Sequence, residues 1–300
     1  MPQGAIFREP VPHHVFLEYS VPLPAGRAAL AEALTEARTA AEGVAGVTLV
    51  LGFGRALWEV LSPGAAPPAL QPFRTLTGRD GKSVPSAQND LWLWLGGLAR
   101  DTVFEASRLV DGRLRAVAVR RLEQPGFVYR DSRDLTGFID GTANPEDDER
   151  LEVALVPEGR PGAGGSHLIA MRWLHDLAAF HALPVSEQER VFGRTKADSE
   201  ELSEADKPPT AHIARMEVEV DGEEQEIFRR SVPFATLDEP GLYFLAFSAD
   251  PGRFDLMLRR MFGLTEDGLV DRLTDFSRCV HAGTYFAPAE VDLARALAGA

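Results

Sequence analysis

The sequence predicts a mixed α+β protein built from two related units rather than one continuous sheet. Strand-like, helical and strand-like segments follow one another over residues 13–54, and a strand-like segment followed by a helical one recurs over residues 241–262. The length of 300 residues also suits two domains of about 150 residues each. The recurring order therefore favours two α+β units of similar construction.

In the first half, apolar and aromatic runs predict strands, and an alanine-rich run predicts a helix. Leu30, Leu34 and Ala41 recur at helical spacing within residues 25–42. The alternation of tryptophans with leucines in DLWLWLGGLA favours a strand, although a buried helix has the same apolar character. Strands are predicted at 13–22, at 47–54, around Trp92 and Trp94, and from Asp111 onward.

In the second half, the pattern changes from strand to helix several times. Residues 165–183 begin as a strand and are predicted to turn helical around Trp173 and Leu174. Ser186 and Glu189 have the spacing of a capping box and predict a helix start. The later elements are predicted as a hairpin over 216–227 with its turn at Asp221-Gly222, a strand at 241–251, a helix at 252–262 and a final strand in LTDFSRCVHAGTYFAP.

Composition excludes several classes of protein. The formal net charge of -14 argues against nucleic acid and anionic membrane surfaces as partners, because both are recognised by basic faces. A single cysteine, Cys279, excludes an internal disulfide framework and a cysteine-rich metal site. The first residues show neither a signal peptide nor a twin arginine, and no stretch reaches about 18 consecutive apolar residues. These features predict a cytoplasmic protein.

The most informative stretch is GFIDGTANP at residues 137–145. Gly137 and Gly141 bracket the carboxylate of Asp140, and the segment ends in an Asn-Pro pair that disfavours helix. The glycines predict a loop that holds Asp140 against another group. An ordinary turn in which the aspartate caps the backbone has the same sequence pattern.

A histidine and an arginine flank the predicted hairpin. His212 precedes one arm and Arg229 follows the other, so the two ends either touch or are separated by an inserted group. The chain has no nucleophile elbow, Walker A loop, dinucleotide fingerprint or HExxH motif. An imidazole can ligate haem iron, while an acid and a cation on the opposite face can move a peroxide proton and stabilise charge. Asp140, His212 and Arg229 suit that division of roles.

Several separated segments resemble the dye-decolourising peroxidase family, in particular its bacterial cytoplasmic subgroup called class B. GFIDGTANP is similar to the GxxDG signature of that family, and the order Asp140, His212, Arg229, Ser231 resembles the order of its site residues. The resemblance covers nearly the whole chain, through PSAQND at 85–90, FGRTK at 192–196, TAHI at 210–213, RRSVPF at 229–234 and GLYFLAFSADP at 241–251.

The resemblance implies two ferredoxin-like domains, placed here at residues 1–135 and 136–300, with haem b mainly in the second. It implies that His212 is the proximal iron ligand and that Asp140, Arg229 and Ser231 lie on the distal side. Many relatives have asparagine where this chain has Ser231, a shorter donor that is expected to position peroxide through a water molecule. Further cofactor-binding residues are expected at Gly141, Thr142, Arg194 (for a propionate), Phe247 and Asp275, the last as acceptor for the second nitrogen of His212.

The implied reaction is the reduction of hydrogen peroxide through an oxoferryl intermediate, with oxidation of dyes or phenolic one-electron donors. Because a free aspartate titrates near about 4, Asp140 predicts an acidic optimum. The family also implies a homo-oligomer, a dimer or larger.

Two other functions remain open from sequence. One is a haem carrier, or a protein that releases iron from haem, with little peroxidase turnover. The other is a haem-free α+β binding module in which Asp140 is a turn residue.

Overall fold

The computed structural model describes residues 1–22 and 26–298. Its helices are α1 (Arg27–Glu42), α2 (Arg55–Leu61), α3 (Arg100–Leu114), α4 (Glu149–Ala154), α5 (Leu177–His181), α6 (Val185–Phe192), α7 (His212–Met216), α8 (Gly252–Met261) and α9 (Glu290–Leu297), with short 3₁₀ helices at Gly4–Phe7 and Arg272–Asp275. Its strands are β1 (His13–Ser20), β2 (Val47–Phe53), β3 (Leu76–Thr77), β4 (Ser83–Val84), β5 (Leu91–Gly97), β6 (Val119–Phe127), β7 (Ser166–His175), β8 (Glu219–Val220), β9 (Glu223–Glu224), β10 (Phe228–Arg229), β11 (Val232–Ala235), β12 (Pro240–Ser248) and β13 (Ser277–Ala287).

The N-terminal half has a ferredoxin-like topology. Along the chain its main elements are β1, α1, β2, β5, α3 and β6, and in the sheet the strands lie in the order β6, β1, β5, β2. Every neighbouring pair is antiparallel. The first strand therefore lies inside the sheet, between the last strand and the third.

The C-terminal half repeats this topology. Its first strand, β7, lies between the last strand, β13, and the third, β12, and both pairs are antiparallel. Two short strands, β10 and β11, together take the place that β2 has in the N-terminal half, and both pair with β12, the third strand. This repeat confirms the predicted α+β class with two ferredoxin-like units, while the boundary at residues 135 and 136 stays a prediction.

The two sheets are joined, and the expectation of two separate sheets needs correction on this point. Phe286 of β13 lies opposite Phe53 of β2, and this one antiparallel pair joins the two halves into one sheet of nine strands. Because the link is one residue pair at the edge of each half, it leaves the two ferredoxin-like orders intact.

Strand β5 shows how the layers form. Leu91, Leu93 and Leu95 face a core shared with α1 and α3, whereas Trp92 and Trp94 face a second core shared with the C-terminal sheet. Successive side chains on a strand point to opposite faces, so a strand buried on both faces is apolar throughout. The predicted strand at the two tryptophans is confirmed.

That second core, here called the intersheet core, lies between the two sheets. It includes Phe16 from β1, Trp92 from β5, Leu168 from β7 and Tyr243 from β12, all fully buried. The rings of Phe16 and Tyr243 stack with their centres 3.9 Å apart. Helices α1 and α3 cover the outer face of one sheet, and α8 packs on the outer face of the other.

Three local predictions are wrong, and one lies partly outside the described residues. Asp111 belongs to the last turn of α3, a helix not recognised in the sequence, and the strand begins only at Val119. Trp173 still belongs to β7, because it pairs with β12 and β13. Helix α6 begins at Val185 without a side-chain cap, so Ser186 forms no capping box. The helix predicted from Ala25 begins at Arg27, and Ala25 itself lies outside the described residues.

Within residues 1–22 and 26–298, no helix has both the length and the apolar character required to span a membrane.

Candidate active site

The loop that carries Asp140 is held by its own backbone. Gly137 and Gly141 have φ angles of 93° and 88°, a conformation that residues with a Cβ rarely adopt. The N–H of Asp140 donates to the carbonyl oxygen of Ser132 at 2.9 Å, and a guanidinium nitrogen of Arg133 donates to the carbonyl oxygen of Gly137 at 2.9 Å. The glycines therefore serve the positioning role that the sequence predicts for them.

The carboxyl group of Asp140 lies in a polar but poorly solvated environment. Burial raises its pKa above the ordinary aspartate value, and the nearby charge of Arg229 opposes that rise. The charge of His212 acts in the same direction as that of Arg229. The structure thus places Asp140 within electrostatic reach of both other residues that the sequence singled out.

Asn144, also in the GFIDGTANP segment, fixes Arg229. Its Nδ2 donates to the carbonyl oxygen of Arg229 at 2.9 Å, and its Oδ1 accepts from the N–H of Arg229 at 2.9 Å. One side chain therefore satisfies both backbone groups of a residue 85 positions away. Sequence analysis missed this role, because an asparagine before a proline reads as a turn residue.

We expect Asn144→Ala to lower the free energy of unfolding by about 1–3 kcal/mol, since it leaves half-buried backbone groups of Arg229 unpaired. Chemical denaturation measures this change. Thr142→Ala is the matched control, because this exposed hydroxyl of the same segment contacts Ser199 and not Arg229, so a smaller loss is expected. Equal stability of wild type and the alanine variant would contradict the role assigned to Asn144.

A cavity of about 420 Å³ joins the distal candidates. Asp140, Gly141, Arg229 and Ser231 all line it. The Nε of Arg229 is buried and has no hydrogen-bond partner among the described residues. The Oγ of Ser231 accepts from the N–H of Leu245 at 3.3 Å, which leaves its own O–H available as a donor. The carboxyl group of Asp140, the guanidinium of Arg229 and the hydroxyl of Ser231 thus line one cavity.

His212 is the first residue of α7, and its imidazole is oriented by a buried carboxylate. The distance from Nδ1 of His212 to Oδ2 of Asp271 is 2.7 Å, and the side chain of Asp271 is fully buried. The N–H of Arg272 donates to the carbonyl oxygen of Thr210 at 3.0 Å and holds the two segments together. In residues 1–22 and 26–298, Nε2 of His212 makes no hydrogen bond.

The prediction that Asp275 is the partner of His212 is therefore wrong. Oδ1 of Asp275 is 2.5 Å from Nζ of Lys82, and the Asp275 side chain is 55% exposed. Asp271 and Asp275 lie at opposite ends of one 3₁₀ turn, so only one of them can face His212. Asp271 accepts from the N–H of Leu273 at 2.8 Å as the N-cap of that turn, and this capping position is the signal that could have distinguished it.

Aromatic packing connects the Asp140 loop to the histidine. Phe138 stacks on Phe192 with ring centres 4.0 Å apart, and Phe192 meets the His212 ring edge-on at 6.1 Å. Phe138 and Phe180 are buried in the same small cluster. The loop and the start of α7 are consequently held by a common set of rings.

The remaining predicted cofactor residues have other contacts. The hydroxyls of Thr142 and Ser199 lie 3.1 Å apart, and Arg194 donates to the carbonyl oxygen of Ser199 at 2.9 Å. Phe247 is fully buried, pairs with Phe228 next to Arg229, and packs its ring against Trp94 at 6.4 Å. Cofactor contacts of Thr142, Arg194 and Phe247 stay predictions.

Known proteins of one family are similar to this chain over most of its length. The family patterns described as Dyp-type peroxidase, N-terminal and Dyp-type peroxidase, C-terminal match residues 22–128 and 131–292. Dye-decolorizing peroxidases from Rhodococcus erythropolis and Mycobacterium tuberculosis are each 36% identical over 247 residues, which is 81% of this chain and 72% and 73% of those proteins.

Solved structures show the same relationship. A variant of DypB from Rhodococcus jostii, in complex with heme, superposes with a TM-score of 0.92 at 34% identity and covers 98% of both chains. A dye-decolorizing protein from V. cholerae superposes with a TM-score of 0.90 at 32% identity, covering 98% of this chain and 99% of that one. With both family patterns matched and this identity over most of each relative, the chain belongs to the Dyp-type peroxidase family and is an oxidoreductase.

Proposed function

We propose that this protein reduces hydrogen peroxide with haem b bound at His212 and oxidises dyes or phenolic compounds as one-electron donors. The observation that carries the proposal is that one chain contains both a distal acid and cation and an oriented imidazole. Asp140 and Arg229 share one cavity, and His212 presents an imidazole whose other nitrogen is bound to the buried Asp271. The family membership supports the same reaction.

The residues present fit a haem group. A protein commonly supplies one neutral imidazole to haem iron, and a carboxylate on the second ring nitrogen fixes its tautomer. His212 and Asp271 have this arrangement, and Nε2 of His212 is left as the ligating atom. The buried Nε of Arg229 has no hydrogen-bond acceptor among the described residues, so it can donate to a group bound in the cavity. We assign His212 as the metal ligand, and Arg194 as a candidate partner of a propionate.

Haem, when bound, supplies the redox-active iron at which peroxide is reduced. Asp140 in its ionised form accepts the proton from one oxygen of hydrogen peroxide and returns it to the departing oxygen, which leaves as water. Arg229 stabilises the negative charge that develops as the O–O bond breaks. The O–H of Ser231 donates toward the same cavity and orients peroxide or a water molecule.

The pH range in which Asp140 can act as a base depends on its pKa, on which burial and the charge of Arg229 have opposite effects. Burial raises the pKa of Asp140, so its base form is lost as pH falls through that raised value. The positive charge of Arg229 keeps the base form populated to lower pH than burial alone would allow. We therefore expect the acid limb of the activity profile to report Asp140 and to lie above the pH at which an ordinary aspartate titrates.

We expect Asp271→Asn to lower haem affinity or peroxide reactivity by about 10–100-fold, because outer partners of metal-bound histidines contribute this much. The amide retains a hydrogen-bonding oxygen but loses the negative charge that makes the imidazole electron-rich. Haem titration and the reduction potential of the bound iron measure the effect, and the potential should rise. Asp275→Asn is the matched control and should behave as wild type, since Asp275 pairs with Lys82.

The proposed function is tested by reconstituting the protein with haemin and following dye oxidation by hydrogen peroxide under steady-state conditions. Peroxide-dependent turnover that is lost in Arg229→Leu supports the proposal. Haem that binds and is merely bleached by peroxide, with rapid transfer to apomyoglobin, would instead support a haem carrier. Failure to bind haem would refute the proposal.

A further inference from the structure

The segment that carries Asp140 contains a second buried carboxylate, Asp134. The N–H of Asp134 donates to the carbonyl oxygen of Phe138, and the N–H of Asp140 donates to the carbonyl oxygen of Ser132, both at 2.9 Å. These two hydrogen bonds flank an antiparallel bridge, so the segment forms a short hairpin. Because Asp134 lies opposite Phe138, Asp140 is its diagonal neighbour, and such neighbours are about 7–8 Å apart in regular pairing.

Three donors hold the carboxylate of Asp134. The N–H and the hydroxyl of Thr136 donate to Oδ2 at 2.8 and 2.5 Å, and Nε2 of His175 lies 3.2 Å from Oδ1. Burial opposes the ionisation of Asp134, but the charge of His175 and these hydrogen bonds hold its pKa below the ordinary aspartate value. Asp134 therefore keeps its negative charge in acid in which Asp140 takes up a proton.

The second ring nitrogen of His175 is also occupied. Nδ1 lies 2.5 Å from Oγ of Ser277, which is opposite His175 in the pairing of β7 with β13. A serine hydroxyl can donate to a neutral imidazole and accept from a protonated one, so the network stays paired in both states. The side chains of His175 and Asp134 are 6% and 11% exposed, and neither residue is among those that line the 420 Å³ cavity. The network can therefore act on peroxide only through another residue.

The residue through which it can act is Asp140. Burial raises the pKa of Asp140, the charge of Arg229 on β10 opposes this rise, the charge of Asp134 adds to it, and that of His212 on α7 opposes it. Of two neighbouring carboxylates in unlike surroundings, the one that accepts more hydrogen bonds stays ionised and the other takes the proton. Asp134 is hence the fixed anion of the pair, and Asp140 is the group that exchanges a proton.

We propose that Asp134 is a positioning residue for peroxide reduction: as a fixed anion in the same hairpin, it increases the tendency of Asp140 to hold the proton that it takes from hydrogen peroxide. This role rests on the proposed function, in which Asp140 moves that proton. A general acid–base group is most effective when its pKa is near the working pH. The charge of Asp134 moves Asp140 from the range of an ordinary aspartate toward milder acid.

The experiment is a pH titration of the full chain by infrared difference spectroscopy, with haem bound and again without it. The signal is the carboxylic C=O band of protonated Asp140, identified by its loss in Asp140→Asn. We expect Asp134→Asn and Asp134→Ser to lower the midpoint of this band by about one pH unit, the lower end of the effect of a neighbouring charge, because an anion that disfavours ionised Asp140 is removed. The acid limb of the peroxide rate constant should move to lower pH by the same amount.

Two further variants separate the charge from its surroundings. Asp134→Glu keeps the negative charge and should retain the wild-type midpoint. Asp176→Asn is the matched control, because Asp176 is an exposed carboxylate next to His175 whose side chain caps α5, and asparagine keeps that cap. Its midpoint should equal that of wild type.

Three results would overturn the proposal. They are a wild-type midpoint in both neutral variants, a midpoint that Asp134→Glu lowers as much as Asp134→Asn does, and unfolding of both neutral variants, which would show a structural role instead. The infrared midpoint does not depend on turnover. A lowered midpoint in a protein that fails to reduce peroxide would therefore support the action of Asp134 on Asp140 and refute the peroxidase function alone.

Discussion

His212→Ala is expected to weaken haem binding by at least about 100-fold, which is the upper end of what loss of an outer partner alone costs. The substitution removes the one imidazole that the structure orients through a buried carboxylate, at 2.7 Å from Asp271. The measurement is the Soret absorbance of the purified protein titrated with haemin. His181→Ala is the control, because His181 is an exposed histidine at the end of α5. A Soret band in His212→Ala equal to that of wild type would remove His212 as the iron ligand.

Asp140→Asn is expected to lower the second-order rate constant for peroxide by about 10²–10⁴-fold, the usual contribution of a general acid–base group, while haem binding is retained. Wild-type activity should fall as pH drops through the raised pKa of Asp140, and the variant should lack this limb. Stopped-flow mixing with hydrogen peroxide across pH measures both effects. An unchanged rate in the variant would exclude Asp140 as the base.

The stability of the Asp140→Asn variant provides an internal control. A carboxyl group whose pKa is raised on folding binds its proton more tightly in the folded state, so its ionisation destabilises the fold above that pKa. The asparagine variant should therefore be at least as stable as wild type at neutral pH, and this advantage should disappear below the pKa of the unfolded chain. Lower stability at neutral pH would show that lost activity reflects a disturbed fold.

Local patterns were sufficient to predict the loop around Asp140 and the strand with Trp92 and Trp94. A glycine with positive φ and a strand with two buried faces each impose a pattern on adjacent residues. Helix α3 was missed, because its last turn contains Asp111 and Gly112, which resemble a turn before a strand.

The contacts that complete the site join residues far apart in sequence. Asn144 and Arg229 are 85 positions apart, and His212 and Asp271 are 59 apart. Locally, only the N-cap position distinguishes Asp271 from Asp275, and which end of the 3₁₀ turn faces α7 depends on the tertiary fold.

The intersheet core has a consequence for cooperativity. Its rings come from both halves of the chain, so the inner face of each sheet is covered only when the other sheet is in place. Separating the halves would expose Phe16, Trp92 and Tyr243 to water, at a cost of about 1.5–3 kcal/mol for each large apolar side chain. We therefore expect both halves to melt in a single calorimetric transition, and neither ferredoxin-like unit to be an autonomous folding module.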